Sequence, residues 1–184
     1  MKTLFLLISL MLTLVITSQA QRYATKNGYI RFYSDAPLEK IEAINRQVNA
    51  ALDLKTGDFV FRALMKSFGF EKALMQEHFN ENYVESDKFP NATLLGKIVN
   101  FSEINTAKEG IYPVTVEGKL TIHGVTKQVT VKGTIEAKGG KLIGKAKFNI
   151  NLDDYKITVP SAVISNISKN IEISVETVLE ILAF

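Results

Sequence analysis

The side chains able to do chemistry are few and scattered. The chain has two histidines, His78 and His123, and no cysteine. The missing cysteines exclude thiol nucleophiles, thiolate metal sites and a disulfide framework. A zinc site needs three or four ligands. Glu77, His78 and Glu81 could share part of one helical face, but a glutamate-rich surface helix reads first as a solvated one. His123-Gly124 reads as a hairpin turn in which glycine supplies the positive φ. No G-x-S-x-G elbow is present to carry a serine nucleophile. Asp153 and Asp154 are adjacent, so on a strand they would point to opposite faces and could not serve one bond as acid and base. Lys138-Gly139-Gly140-Lys141 lies between two strand patterns rather than between a strand and a helix, and is no phosphate loop. These residues support neither catalysis, a metal nor a cofactor.

What remains is an apolar lining. Alternate residues from Tyr112 run Val114, Val116, Gly118, Leu120, Ile122; from Val125 they run Lys127, Val129, Val131, Gly133, Ile135; from Leu142 they run Gly144, Ala146, Phe148, Ile150, Leu152. The intervening positions are mostly Thr, Lys, Glu and Asn. Period-two alternation marks strands with one buried and one wet face. Each apolar face carries one glycine, and Gly96, between Leu94 and Ile98, resembles them. Such glycines either turn corners in a coiled sheet or leave room for a ligand. The pattern leaves both readings open.

Further strands are expected over 28–34, 44–54, 58–65, 94–101 and 171–181, with a turn at Thr56-Gly57. Arg46 falls on the apolar side of its strand, either snorkelling to water near a sheet end or anchoring a polar group inside a pocket. Phe70, Leu74, Met75 and Phe79 recur at helical spacing, which predicts one amphipathic helix over 70–82. Asp153 to Asn170, with Pro160, has no period. Many strands, short turns, one helix and no βαβ rhythm predict an all-β fold: an antiparallel, eight-stranded barrel with one short helix.

Residues 1–20 read as a secretory signal peptide: Lys2, an apolar run from Leu4 to Ile16, and Ser18-Gln19-Ala20 as cleavage site. An uncleaved anchor is the alternative. The mature domain would span 21–184, periplasmic or secreted. The 22 basic and 19 acidic residues nearly balance, too weak a bias to indicate nucleic acid or strong attraction to anionic membranes. No second apolar run suits a stable membrane insertion. Lys119, Lys132, Lys141, Lys145 and Lys147 fall on the polar face of the three strands, as a solvated exterior or a surface for an acidic partner.

Gly118-Lys119-Leu120-Thr121-Ile122-His123-Gly124-Val125-Thr126-Lys127 resembles the G-x-L-T-[IL]-[HN]-G-V-[TS]-[KR] hairpin of the YceI-like family. Glu85 to Thr93 is similar to that family's stretch before the strand carrying Gly96, and Phe148-Asn149-Ile150 with Asp153-Asp154-Tyr155 to its F-x-[IV] and D-[FY] region. The family's D-x-x-H-S opening is replaced here by Lys26-Asn27-Gly28-Tyr29-Ile30, and Leu94 stands where Phe is common, as in a compact Bacteroidetes-type subgroup. The resemblance covers essentially the whole mature chain. It implies a lipocalin-like barrel, a helix at one end, export to the periplasm, and a polyisoprenoid or quinone-type lipid in the interior. It implies no enzyme activity.

The expected ligand is therefore an apolar, chain-like lipid. Its expected lining is Phe32, Leu52, Phe61, Leu94, Gly96, Ile98, Val114, Val116, Gly118, Val129, Val131, Gly133, Gly144, Phe148, Ile150 and Ile173. Leu74, Met75 and Phe79 of the helix would close one end. Two rivals remain: an interaction module whose barrel is filled by its own side chains, and a hydrolase or isomerase acting on an apolar substrate. The pattern leaves a homodimer open.

Overall fold

Alternation becomes strand in every segment where it was read, although the strand expected over 94–101 ends at Ile98 and that over 58–65 at Leu64. The computed structural model describes residues 22–182, so the signal peptide read over 1–20 lies outside the described residues. The strands are β1 (Arg22–Asp35), β2 (Lys40–Asp53), β3 (Asp58–Leu64), β4 (Gly69–Phe70), β5 (Asn91–Ile98), β6 (Gly110–Ile122), β7 (Val125–Lys138), β8 (Lys141–Asn151) and β9 (Asn170–Ile181). Hydrogen bonding runs antiparallel from β1 through β9, β8, β7, β6, β5 and β3 to β2, and β2 pairs back with β1. The two-residue β4 adds to β2 outside this ring. Eight strands thus close on themselves, and closure removes the free edges that invite association.

Two-residue turns set the register of the β6–β7–β8 meander. His123 and Gly124 both have positive φ (50° and 71°), the conformation whose twist matches that of the flanking strands. The interior glycines do something different. A Cβ on Gly96 would lie 2.6 Å from the Glu117 carbonyl oxygen, and one on Gly118 2.5 Å from that of Leu95. Gly96 and Gly118 are cross-strand partners, so β5 and β6 touch backbone to backbone there. Gly133 meets the Lys145 carbonyl oxygen in the same way. At these three positions the glycines are where the sheet coils.

Exterior lysines meet the chain's own acids. Lys145 and Lys147 lie 3.6 Å and 2.8 Å from Glu176 and Glu172, and Lys141 pairs with Glu180. This cross-strand ladder between β8 and β9 gives these three lysines carboxylate partners within the chain.

The register of β1 against β2 overturns one expectation. Between the pairs Gly28–Val48 and Ile30–Asn45 the two strands fall out of step, as a bulge does. The shift turns Asn45 inward, where it is fully buried, and Arg46 outward. Asn45 donates from Nδ2 to the Leu64 carbonyl (2.9 Å) and accepts from the Gln47 N–H (2.7 Å), which satisfies the kinked backbone. Arg46 lies over the Tyr29 ring at 5.0 Å. It is no anchor inside a pocket, because a bulge breaks the strict period on which that reading depended.

The helix is also shorter than its spacing predicts. Phe70 belongs to β4, and α1 (Ala73–His78) continues through a wider turn over Phe79–Tyr83. Met75 and Phe79, four residues apart, face inward, while Leu74 is 60% exposed. One position is about 100° of helix, so Leu74 cannot share their face. Asp153 and Asp154 sit in a tight turn (Leu152–Tyr155) rather than on a strand, paired with Lys169 and Lys127.

Candidate ligand-binding site

The inward residues of the barrel do not fill it. Interiors normally pack to crystal density with few voids larger than a water molecule. Here a chamber of about 130 Å³ lies within the barrel and a second of about 320 Å³ lies under α1. Ile30, Ala63, Ala92, Ile122, Ile150 and Ile173 line both. They form a waist between a barrel chamber and a lid chamber.

The barrel chamber is walled by Leu52, Phe61, Leu94, Ile98, Val114, Val116, Val131, Gly133, Gly144, Phe148, Ile150 and Ile173, all expected from alternation. Phe59, Leu120 and Ile135 join them. Gly133 and Gly144 are part of the wall, whereas Gly96 and Gly118 line neither chamber. Val129, the cross-strand partner of Gly118, packs against the core without reaching the space. At Gly144 an added Cβ would meet only the Thr177 hydroxyl, at 2.9 Å, so this glycine borders side chain rather than backbone.

Four segments make most of the lid chamber. Phe32 and Ser34 come from the end of β1 and Met65 to Phe70 from the end of β3 onward. Met75, His78, Phe79 and Tyr83 come from the lid itself, and Leu152 to Ile167 from the crossing between β8 and β9. Phe79 is the centre of the closure. Its ring stacks on Phe32 at 5.4 Å and meets Phe70 at 5.0 Å and Phe68 at 5.8 Å. Such pairs contribute about 0.5–1.5 kcal/mol each beyond area burial. Met75 and Phe79 therefore line the lid chamber and Leu74 does not.

Charged groups tie the lid to the rim. Glu39, in the β1–β2 turn, accepts from Lys72 Nζ at 3.1 Å and from Asn166 Nδ2 at 3.3 Å. Those two hydrogen bonds hold its carboxyl below the ordinary carboxylate range. At the other end of the lid, His123 Nδ1 donates to the Tyr155 carbonyl (3.1 Å) and Nε2 lies 2.7 Å from Glu85 Oε2. The His123 hydrogen bond, with the Lys88 charge, depresses the Glu85 carboxyl in turn. His123 thus has a second role beside its turn geometry: it joins the lid, the β6–β7 hairpin and the crossing segment. Phe89 packs edge-on against its ring at 4.7 Å. His78 lines the lid chamber while staying open to solvent, with no carboxylate tie among the described residues.

Alternation could not have found Phe68, Tyr83, Ile157 or Ile167, which come from stretches without a period. Glu39 carried no signal at all, being one glutamate in a turn.

No helix among the described residues is long and apolar enough to cross a membrane. Comparison with known proteins gives consistent results. The family model described as YceI-like domain matches residues 24–179. UPF0312 proteins of Pseudomonas putida, from strains W619 and GB-1 among others, are 34% identical over 103 residues, covering 53% of this chain and 49% of theirs. The chain thus spans about half the length of the curated relatives it matches. Among solved structures, a polyisoprenoid binding domain from Saccharophagus degradans implicated in plant cell wall breakdown superposes with a TM-score of 0.76. It is 13% identical, over 89% of this chain and 99% of that one. BcnA of Burkholderia cenocepacia gives a TM-score of 0.68 at 16% identity, over 83% and 95%. The YCEI protein of Campylobacter jejuni gives 0.57 at 17%, over 76% and 84%. At these identities the likeness is one of fold.

Proposed function

From the premise that the chain belongs to the YceI-like family, we propose that it is a non-catalytic carrier that holds one apolar, chain-like lipid of isoprenoid or quinone type inside the barrel. One observation carries this reading: two adjoining apolar chambers, of about 130 and 320 Å³, sharing a waist inside a closed sheet. Small-molecule sites are concave, mostly apolar and largely pre-formed, and this space is all three. Added support comes from the Saccharophagus degradans neighbour, which is described as polyisoprenoid binding.

The mechanism is burial. Each methylene taken from water contributes roughly 0.8 kcal/mol, less the freedom the chain loses on being held. A tail threaded past Ala63 and Ala92 into the barrel needs no polar contact to bind tightly. The lid opens for entry and closes as Phe79 returns to its place among Phe32, Phe68 and Phe70. Export completes the proposal, with residues 1–20 as the leader and the carrier working in the periplasm or outside the cell.

Titration with prenyl alcohols of two, three and four isoprene units tests the reading. Affinity rises at least tenfold per unit until the barrel is full. Affinity independent of chain length would overturn it.

A further inference from the structure

The two chambers differ in chemistry, and the difference gives a bound chain a direction. The barrel chamber offers little polar side-chain chemistry beyond the hydroxyls of Thr93, Thr134 and Thr177. The lid chamber gathers Ser34, Glu39, His78, Tyr83 and Asn166. A polar end buried in the first would lose most of its hydrogen bonds to water, at a cost that an end held in the second avoids. The tail therefore points into the barrel and the polar end stays beneath the lid.

Glu39 sets which polar end is accepted. Its side chain is 26% exposed and lines the chamber. Lys72, its cationic partner, is 63% exposed and is not part of the lining. Glu39 thus borders the chamber, and Lys72, more exposed, stands outside its lining. Ionisation of Glu39 at neutral pH follows from the hydrogen bonds that Lys72 and Asn166 give it. Tyr83 and Ser34 add uncharged hydroxyls to the lining. Burial pushes the Tyr83 phenol up, so it stays uncharged. The Ser34 hydroxyl oxygen accepts from the Ser168 N–H at 2.9 Å and keeps its own proton to donate. An anionic end here would meet the like charge of the Glu39 carboxylate, whose Lys72 partner lies outside the lining. A hydroxyl end can donate to Glu39 and accept from Ser34 or Tyr83.

We propose that the lid chamber is a head-group site that selects an uncharged, hydrogen-bond-donating end, of the alcohol type, against carboxylate and phosphate ends, with Glu39 as the specificity-determining residue. This rests on the reading of the barrel as the carrier of an apolar chain.

The test is a fluorescent-probe displacement titration at neutral pH with farnesol, farnesoic acid and farnesyl phosphate, which share one tail. Wild-type protein binds the alcohol at least tenfold more tightly than either anion. Glu39→Gln keeps one acceptor oxygen, for Lys72 or Asn166 but not both, and removes the charge, and brings the three affinities within about threefold. Lys72→Met breaks the same brace but keeps the carboxylate, and retains or widens the preference for the alcohol. An anion bound as tightly as the alcohol by wild type would overturn the proposal, as would an unchanged ratio in Glu39→Gln or loss of selectivity in Lys72→Met. Binding of all three alike removes only this inference. Binding of none removes the carrier reading as well.

Discussion

Replacing Gly118 with alanine isolates the backbone contact that coils the barrel. The added Cβ would sit 2.5 Å from the Leu95 carbonyl oxygen and 2.6 Å from the Gly96 Cα. Both are backbone atoms of β5, so no rotamer change relieves the clash. Restoring ordinary contact, which begins near 3.4 Å, moves β5 away from β6 by nearly an ångström. That displacement weakens one or two ladder hydrogen bonds, at about 1 kcal/mol each. Forced overpacking adds about 1–3 kcal/mol. Losing a glycine from the unfolded chain returns about 0.4–1 kcal/mol. The net expectation is a destabilisation of about 1–5 kcal/mol, read as a lower urea midpoint with an unchanged slope. Gly144→Ala is the matched control. Its Cβ meets only the Thr177 hydroxyl oxygen, a side-chain rather than a backbone atom, so it costs clearly less than Gly118→Ala. A Gly118→Ala protein as stable as wild type, or a Gly144→Ala protein as damaged as it, would refute the assignment of Gly118 to the coil and of Gly144 to the chamber wall.

Two further perturbations probe the waist and the lid. Ala92 lines both chambers and pairs with Ala63 across β3 and β5. Ala92→Phe should therefore block the passage, lowering affinity for a four-unit prenyl alcohol more than tenfold while a two-unit one still binds under the lid. Equal retention of both chains would remove the waist from the account. Glu85→Gln removes the acid that His123 holds below its ordinary value of 4.5. A carboxyl depressed by folding stabilises the fold above the unfolded value and ceases to as pH falls through the folded one. The stability gap between wild type and Glu85→Gln should then be open at pH 6 and close as the pH drops below about 4.5 toward the depressed value. Thermal melts across that range check it, and a gap that is constant or widens in acid would contradict the tie.

The barrel was legible in the sequence because a half-buried strand writes its burial every second residue. Val114, Val116, Val131, Phe148 and Ile150 reach the wall of the barrel chamber because they sit in β6 to β8, where the period runs without a break. Arg46 departs from its expected face because a bulge costs nothing visible in composition but exchanges the two faces. Leu74 was misplaced because a six-residue helix gives too few turns to fix its inward face, and Phe70 enters from a strand. The glycines needed coordinates: a gap in an apolar stripe looks the same whether backbone or empty space stands opposite. The rim escaped altogether. Glu39, Lys72 and Asn166 are far apart in the chain, and no local pattern marks residues that meet only when a barrel closes.

The central claim is that an apolar chain occupies the barrel, and organic extraction of the gently purified protein followed by mass spectrometry tests it most directly. The account predicts close to one equivalent of a single class of long-chain apolar lipid, released by solvent and restored by incubating the stripped protein with a prenyl alcohol. Protein that carries no lipid when purified, and takes up none when offered one, would contradict it.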